Sequence, residues 1–430
     1  MERLDLFYSF KSLALFIAVC AAALSVNLFF EYSRFLELKK QKFCDINATI
    51  ARQTLKLNKN GKAYWTLRLE SKERGVFFTS TFEDLRDDLT KSDVSLTIIT
   101  ENIGFLDFMR GFYAPSFKIS ILPSFYEVKS DSLYDRAVSF IADQHENAYM
   151  RELFPAIFFA SPQSAELRSA VVKYAAAHLI ALSGMHLSVL SLVLGALVGF
   201  PYRILQSRFF PWRNGFYDLS AIAIAVFGVY LIFTGVVPSL LRAYAMFIFG
   251  LFLFARHIKV VSFETLLIVS LALIAFAPRL LFSIGFLLSV AGVFYIFLYL
   301  RYFGDRSKIA IAIGMSIYVF AAMLPIVHYF FPPTAHTQLL SPILTLIYTP
   351  FYILEIILHA IGLGDLLDSA LIAFFNVSVS QWDFSVPLWL CLSYIALSLA
   401  AIFSHYAHYV FVATLILWLF WQYLLTPMRL

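Results

Sequence analysis

From residue 178 onward the chain is a succession of uncharged apolar stretches separated by short polar loops. A helix needs about twenty such residues to cross the hydrocarbon of a bilayer. In lipid a backbone has to satisfy its own hydrogen bonds, so the pattern predicts a bundle of membrane helices and excludes a soluble globular fold. Composition agrees. Of the 430 residues 60% are hydrophobic and 14% charged, against about a quarter charged in soluble chains. The net charge of +5 is too small, averaged over the chain, to name a partner. Cys20 and Cys391 lie in apolar runs and Cys44 has no evident mate. Neither a disulfide framework nor a cysteine-based metal site is indicated.

The expected spans are 178–199, 219–235, 239–255, 261–277, 280–300, 309–331, 338–361, 385–404 and 407–425. Pro342 and Pro350 predict a broken or re-entrant segment at 338–361. An earlier apolar run at 12–30 reads as a retained anchor rather than a cleaved signal, because bulky Phe29 and Phe30 close it.

Four segments follow: an anchor (1–38), a β domain (39–130), amphipathic interfacial helices (131–177) and a channel-type membrane domain (178–430). In the second, Trp65, Leu67 and Leu69 alternate with Tyr64, Thr66, Arg68 and Glu70, the period of a half-buried strand with Trp65 facing the core. Asn58-Lys59-Asn60-Gly61 is a hairpin signal. Further strands at 44–50, 75–79, 95–100 and 117–122 suggest a small barrel, OB-like in the leading reading.

Loop charge gives the orientation. Arg203, Arg208 and Arg213, then Arg256 and Lys259, then Arg301, Arg306 and Lys308 occupy alternate loops, while Arg279 is the exception in the loops between. The positive-inside rule makes those three loops cytoplasmic and puts residues 39–177 outside. Arg34, Lys39, Lys40 and Lys42 after the anchor point the other way and are outvoted by the three loops.

Ionisable groups inside a membrane are functional candidates by default. They are His178, Ser183 and His186 in HLIALSGMHL (178–187), then Arg242, Glu264, His328, Glu355 and His359. For His178 and His359 an interfacial position is the plain reading, and for Glu264 a helix start. His178 and His186 are eight residues apart, about 80° around a regular helix, and so share a face poorly. No H-E-x-x-H accompanies them, which argues against metal. A serine hydrolase would use Ser183 with a histidine base. However, Ala181 stands where a G-x-S-G pattern needs glycine. A passage is the third reading. Ser183 and Gly184 loosen the helix, and freed backbone belongs where it is buried or wet. Pro238, Ser239 and Arg242 supply a second such place, with a cation suited to an anionic cargo.

HLIALSGMHLSVL (178–190) resembles the His-x-x-x-x-Ser-Gly-x-His signature of the ComEC competence family. FTGVVPSLLRAYAM (233–246), PRLLFSIGFLLSVAGV (278–293, with Ser289) and MLPIVHYF (323–330) are similar to three further elements of that family, in the same order. Ser341 stands where the family pattern would place Asn. The resemblance implies a channel, not an enzyme, that imports single-stranded DNA across the cytoplasmic membrane during natural transformation. It implies no cofactor or metal. Its implied partners are the bilayer, an extracytoplasmic DNA receptor, a cytoplasmic ATPase or helicase and single-strand-binding proteins. Many members end in a metallo-β-lactamase-like domain. No H-x-H-x-D-H motif appears here, so a nuclease is expected to be a separate protein. With no P-loop pattern, energy is expected to come from elsewhere.

His178, Ser183, Gly184, His186, Ser239, Arg242 and Ser289 are therefore the expected path residues. On the β domain, ten Lys and Arg between Lys39 and Arg74 interleave with aromatics, a composition suited to phosphates and stacked bases. Arg52, Lys56, Lys62, Tyr64 and Arg68 are the expected DNA contacts. An intramembrane hydrolase, or a transporter of small anions or lipid-linked precursors, is the alternative.

Overall fold

The computed structural model describes residues 10–57, 62–71, 75–81, 92–121, 132–256 and 261–425. They fall into two compact units.

The first unit holds the described residues of 10–121 together with Ser270–Ser283. Its elements are α1 (Phe10–Lys39), β1 (Phe43–Leu57), β2 (Ala63–Ser71), β3 (Gly75–Thr81), β4 (Asp93–Ile99), α2 (Phe105–Arg110), β5 (Phe112–Tyr113) and β6 (Ser116–Ile121). The strands form one sheet in the order β5-β3-β2-β1-β4-β6. β3 and β5 pair in parallel; the other neighbours are antiparallel. β5 and β6 stand at opposite ends of that order, yet Ala114 and Pro115 alone separate them in sequence. The sheet therefore bends back on itself.

The predicted alternation on β2 appears as buried Leu67 and Leu69 beside exposed Arg68 and Glu70. Trp65 departs from it and is half-buried. It pairs with Leu55, itself 53% exposed, at the end of the strand away from the core of Ile46, Ile50, Leu67, Leu69 and Phe77. Residues 58–61, the expected hairpin turn, lie outside the described residues, between β1 and β2 paired up to Leu57 and Ala63. The last turns of α1 join the same core through Phe35 and Leu38. Asn27, a polar residue in the apolar run, donates to the Ala275 carbonyl at 2.9 Å.

Arg279, the cation that broke the loop-charge pattern, is held by Glu31 of α1. Its Nε and Nη2 donate to Glu31 Oε2 at 3.0 and 2.7 Å, and its guanidinium lies 4.7 Å over the Phe108 ring. Lys42 likewise faces Glu101 at 3.0 Å.

The second unit holds Leu133–Val269 and the chain from Ile284. It begins with α3 (Leu133–Ala142), α4 (Ala148–Phe159), α5 (Ala165–Val172), α6 (Ala177–Ile180), α7 (Gly184–Leu194) and α8 (Phe200–Phe209). α9 (Gly215–Phe233), α10 (Pro238–Ala255), α11 (Phe263–Phe276, whose second half belongs to the first unit), α12 (Ile284–Phe303) and α13 (Lys308–Phe330) follow. β7 (Pro333–Ala335), α14 (Ser341–Ala360), α15 (Asp368–Phe375), β8 (Gln381–Asp383), α16 (Leu388–Phe403) and α17 (His405–Phe420) complete it.

Each of the ten apolar stretches read from the sequence is helical over most of its length. Seven helices among the described residues are long and apolar enough to cross a membrane, and α10, α11 and α16 are shorter apolar ones. This is a multi-pass helical membrane protein. Its helix starts carry expected caps: Asn214, Ser307 and Ser404 each accept a backbone N–H of the following turn. Between α9 and α10 the chain reverses through Gly235 and Val236, at φ 76° and 55°. A β-branched residue rarely adopts that left-handed conformation, and Pro238 then opens α10 with its φ already set.

Two expectations change. Residues 195–199 form a π-helical turn that carries α7 into α8, so this span runs from Gly184 to Phe209 and places Arg203 and Arg208 on a helix. The segment at 338–361 is not broken at its prolines. Pro342 sits in the first turn of α14, where its missing N–H is no loss, and the helix continues through Pro350. The chain turns back after the helix instead. α15 returns to where α14 began, and β7 pairs with β8 in an antiparallel ladder of Pro333↔Asp383, Thr334↔Trp382 and Ala335↔Gln381. Residues 172–175 tie both ends together. Lys173 accepts from Thr337 through its carbonyl, and its Nζ donates to the Phe375 and Val377 carbonyls.

α4 also departs from the expected amphipathic pattern. Leu153 to Phe158 are six consecutive buried residues, packed with Tyr348 and Tyr352 of α14.

Candidate functional site

The signature segment is built around a break. α6 ends at Ile180, Ala181–Ser183 are non-helical, and α7 starts at Gly184 with Ser183 extended at φ −141°, ψ −179°. His186, three residues on, reaches back over this break. Its Nδ1 accepts the Ser183 N–H at 3.2 Å, which satisfies one of the donors a helix start leaves open. A backbone N–H can only donate, so Nδ1 is the bare nitrogen and Nε2 carries the proton. Nε2 accordingly donates to the Tyr348 hydroxyl at 2.7 Å, across to α14. The ring is fully buried, edge-on to Tyr348 and Tyr352. The Ser183 hydroxyl also lies 3.2 Å from Nδ1.

His178 is exposed on the protein surface and differently engaged. Its Nδ1 donates to the Ala175 carbonyl at 2.9 Å, and its Nε2 is 3.3 Å from Thr345 Oγ1, again on α14. Ser341 Oγ donates to the same Ala175 carbonyl at 3.3 Å. The position at which the sequence departs from the family pattern thus ties α14 to the residues just before α6. Gln338 adds to the seam, donating to the Val172 carbonyl at 3.3 Å and accepting from Tyr423 at 3.1 Å. Gly184 is exposed and has nothing within 4 Å of where a side chain would begin.

The second expected region lies on α10 and α12. Ser239, Arg242 and Ser289 are half-buried. The Arg242 guanidinium rests against α12, where a Cβ on Gly285 would stand 3.4 Å from Nη2. The R-A element and the G-F-x-L-S element are therefore in contact, with Ser289 one turn beyond Gly285. An apolar core of Leu182, Leu187, Phe227, Leu231 and Leu240 joins this region to the signature segment. A cavity of about 420 Å³ opens between α8, α9 and α10 beside Arg203, Gln206 and Ser220, and none of the expected path residues lines it.

The remaining candidates separate. Glu264 is exposed in the first turn of α11, as the plain reading has it. His328 is buried, its Nδ1 donating to the Phe331 carbonyl at 3.0 Å. His359 is enclosed by protein. It is 2% exposed and meets His145, which sequence reasoning missed altogether.

On the β domain, Lys62 and Arg68 are exposed and Tyr64 is half-buried. Arg68 faces Glu70 at 3.2 Å. The β1–β2 register sets Arg52 opposite Arg68 and Lys56 opposite Tyr64. The side chains of Arg52 and Lys56 lie outside the described residues, as does Lys259.

The second and third motif segments thus meet at Arg242 and Gly285, and the signature segment shares an apolar core with the second. A family model described as Competence protein matches residues 161–429. The chain belongs to the competence protein family. The competence match covers the signature break, α10, α12 and the whole α14–α15 excursion, and it begins after the β domain and α4. Membership supports a role of this membrane protein in competence, the uptake of DNA. No curated protein and no solved structure matches the chain.

Proposed function

We propose that this competence protein is a channel for single-stranded DNA across the cytoplasmic membrane, with the β domain on the outer side. The observation that carries the reading is the interrupted helix at Ala181–Ser183, pinned through His186 to Tyr348 of α14. Unwound backbone at membrane depth is tolerated where it is buried in protein or borders a wet cavity. Here it forms part of the family's signature. Arg242, against Gly285, supplies the cation that phosphates need along such a path. Arg203, Arg208, Arg213, Arg256, Arg301, Arg306 and Lys308 support a cytoplasmic side for the helix ends and loops that carry them.

The β domain supports the same cargo. Its strand order, with the parallel β3–β5 pair and the returning 112–121 segment, fits an OB-like barrel. Such barrels bind single strands by cations beside stacking rings. Lys62, Tyr64 and Arg68, with Arg52 and Lys56 opposite them in register, are the surface assigned to that task.

One contact favours a second reading. The 3.2 Å approach of Ser183 Oγ to His186 Nδ1 is the distance of a nucleophile and its base. Against it, Nδ1 already accepts a backbone N–H, and the far nitrogen meets a tyrosine hydroxyl instead of an orienting carboxylate.

The test is import of labelled DNA into cells lacking this protein and into complemented cells. Loss of import with normal surface binding is expected. Normal import in the deleted strain overturns the reading.

A further inference from the structure

Outside the signature lies a second buried polar constellation. His145, in the turn between α3 and α4, and His359, in the last turn of α14, face each other with their Nε2 atoms 3.0 Å apart. The outer nitrogen of each ring is committed. His145 Nδ1 lies 2.9 and 3.0 Å from the two oxygens of Asp368. His359 Nδ1 lies 2.8 Å from the Glu355 carbonyl oxygen and 3.3 Å from Glu355 Oε2. Phe154 stacks on His145 at 4.6 Å and packs against His359 at the same distance. Gln144 pins the turn, donating to the His359 carbonyl and accepting from the Gly364 N–H. Glu355 is 1% exposed, and among the described residues neither of its carboxylate oxygens has a hydrogen bond.

Counting protons decides what this arrangement holds. A carbonyl oxygen only accepts, so His359 Nδ1 carries a proton. Two ring nitrogens at 3.0 Å share one more. A third lies between His145 Nδ1 and Asp368, on either atom. Asp368 and the two rings therefore hold three protons, where an ionised carboxylate and two neutral imidazoles hold two. The third proton makes Asp368 and the two rings neutral as a set, and the Glu355 carboxyl, with Oε2 3.3 Å from His359 Nδ1, is the next group along the chain.

We propose that Asp368, His145, His359 and Glu355 form a proton relay in the membrane domain, so that the protein conducts protons in addition to its role in DNA uptake. Proton relays through membrane proteins are built from such carboxylate and imidazole chains. Asp368 is the wetter end, its side chain 13% exposed. A proton on Asp368 passes to His145 Nδ1, the His145 Nε2 proton passes to His359 Nε2, and the His359 Nδ1 proton passes to Glu355. One proton moves from carboxyl to carboxyl, and no other bond changes. The end state leaves the bare His359 Nδ1 facing a carbonyl oxygen, so it is short-lived and Glu355 hands the proton on or back.

The other ionisable groups on the packed elements do not join the chain. Asp143, Glu146, Arg151 and Asp365 are exposed, with Arg151 held by Asp143 at 3.1 Å. Glu152 accepts the Ser164 N–H. Tyr352 lies toward Phe158 and His186, one turn along α14.

The test uses the full chain in liposomes containing a pH dye, with an imposed pH gradient and the voltage clamped by potassium and valinomycin. Wild-type protein is expected to acidify the lumen faster than protein-free liposomes, and His145→Gln, His359→Gln and Glu355→Gln to slow it about tenfold or more. Wild-type flux equal to that of empty liposomes, or variants as fast as wild type, overturns the relay. Because a variant that unfolds also loses flux, the wild type is examined directly by nitrogen NMR of labelled histidines. Three protons shared by Asp368 and the two rings support the relay, and two overturn it. Tight binding of one zinc ion that either histidine variant abolishes overturns it in favour of a metal site. The flux needs no DNA, so its failure leaves the import reading standing and the reverse also holds.

Discussion

His186 and Tyr348, 162 residues apart in sequence, are joined by a 2.7 Å hydrogen bond from the imidazole to the phenol. Through it a helix with a broken start is fastened to α14. Tyr348→Phe removes the hydroxyl alone and leaves a buried N–H without an acceptor, at a cost of about 1–3 kcal/mol. His186→Ala also leaves a cavity and loosens the break, and is expected to cost about 2–5 kcal/mol. Thermal melts of detergent-solubilised protein check both. The double variant should melt close to His186→Ala alone, and full additivity would show that the two side chains do not act as a pair.

Ser183→Ala separates the two chemical readings of the signature. The bond that holds the break uses the Ser183 backbone N–H, which alanine keeps. DNA uptake by this variant should therefore stay within about twofold of wild type, since an exposed or half-buried hydroxyl contributes little on its own. A loss of a hundredfold or more would mark Ser183 as a nucleophile.

Arg242 is expected to act by charge. Arg242→Lys should retain more uptake than Arg242→Leu at equal amounts of folded protein in the membrane. Equal loss in both would assign the guanidinium a planar, bidentate structural role against α12 that lysine cannot fill.

In the first unit, the Glu31–Arg279 pair is partly buried, at 13% and 28% side-chain exposure. Glu31→Gln removes the negative charge facing the guanidinium and should destabilise the protein by about 1–3 kcal/mol. Adding Arg279→Gln should restore part of that, because removing both charges is less costly than leaving one. A double variant less stable than the single one contradicts the pairing.

Much of this architecture was legible in the sequence, and the limits have physical causes. The ten apolar runs became helices because length and hydropathy are local properties that the bilayer reads directly. Leu67 and Leu69 were placed by strand alternation for the same reason. Trp65 was misplaced because alternation gives the face of a strand and not how far along it the core extends. Pro342 and Pro350 suggested a break because a proline's effect depends on where the helix starts, and Pro342 lies in the first turn. The signature histidines were visible as a motif, but their partners on α14, Thr345 and Tyr348, were not. Least legible was the pairing of His145 with His359, 214 residues apart. His145 lies in a polar stretch where a histidine draws no attention, and His359 alone looked interfacial.

The ladder between β7 and β8 gives one more expected result. In a chain with Cys20, Cys44 and Cys391 replaced by serine, cysteines introduced at Phe331 and at Ser380 should react with an impermeant maleimide from the same side of the membrane. Labelling from opposite sides would show that the ladder does not form in the bilayer.

That ladder bears on parity. A stretch whose first and last residues are hydrogen-bonded to each other is a detour and adds an even number of crossings, however deep its tip reaches. α14 therefore counts for nothing in deciding which face the rest of the chain occupies, although it is long enough to cross. The side on which α13 ends is the side from which α16 sets out.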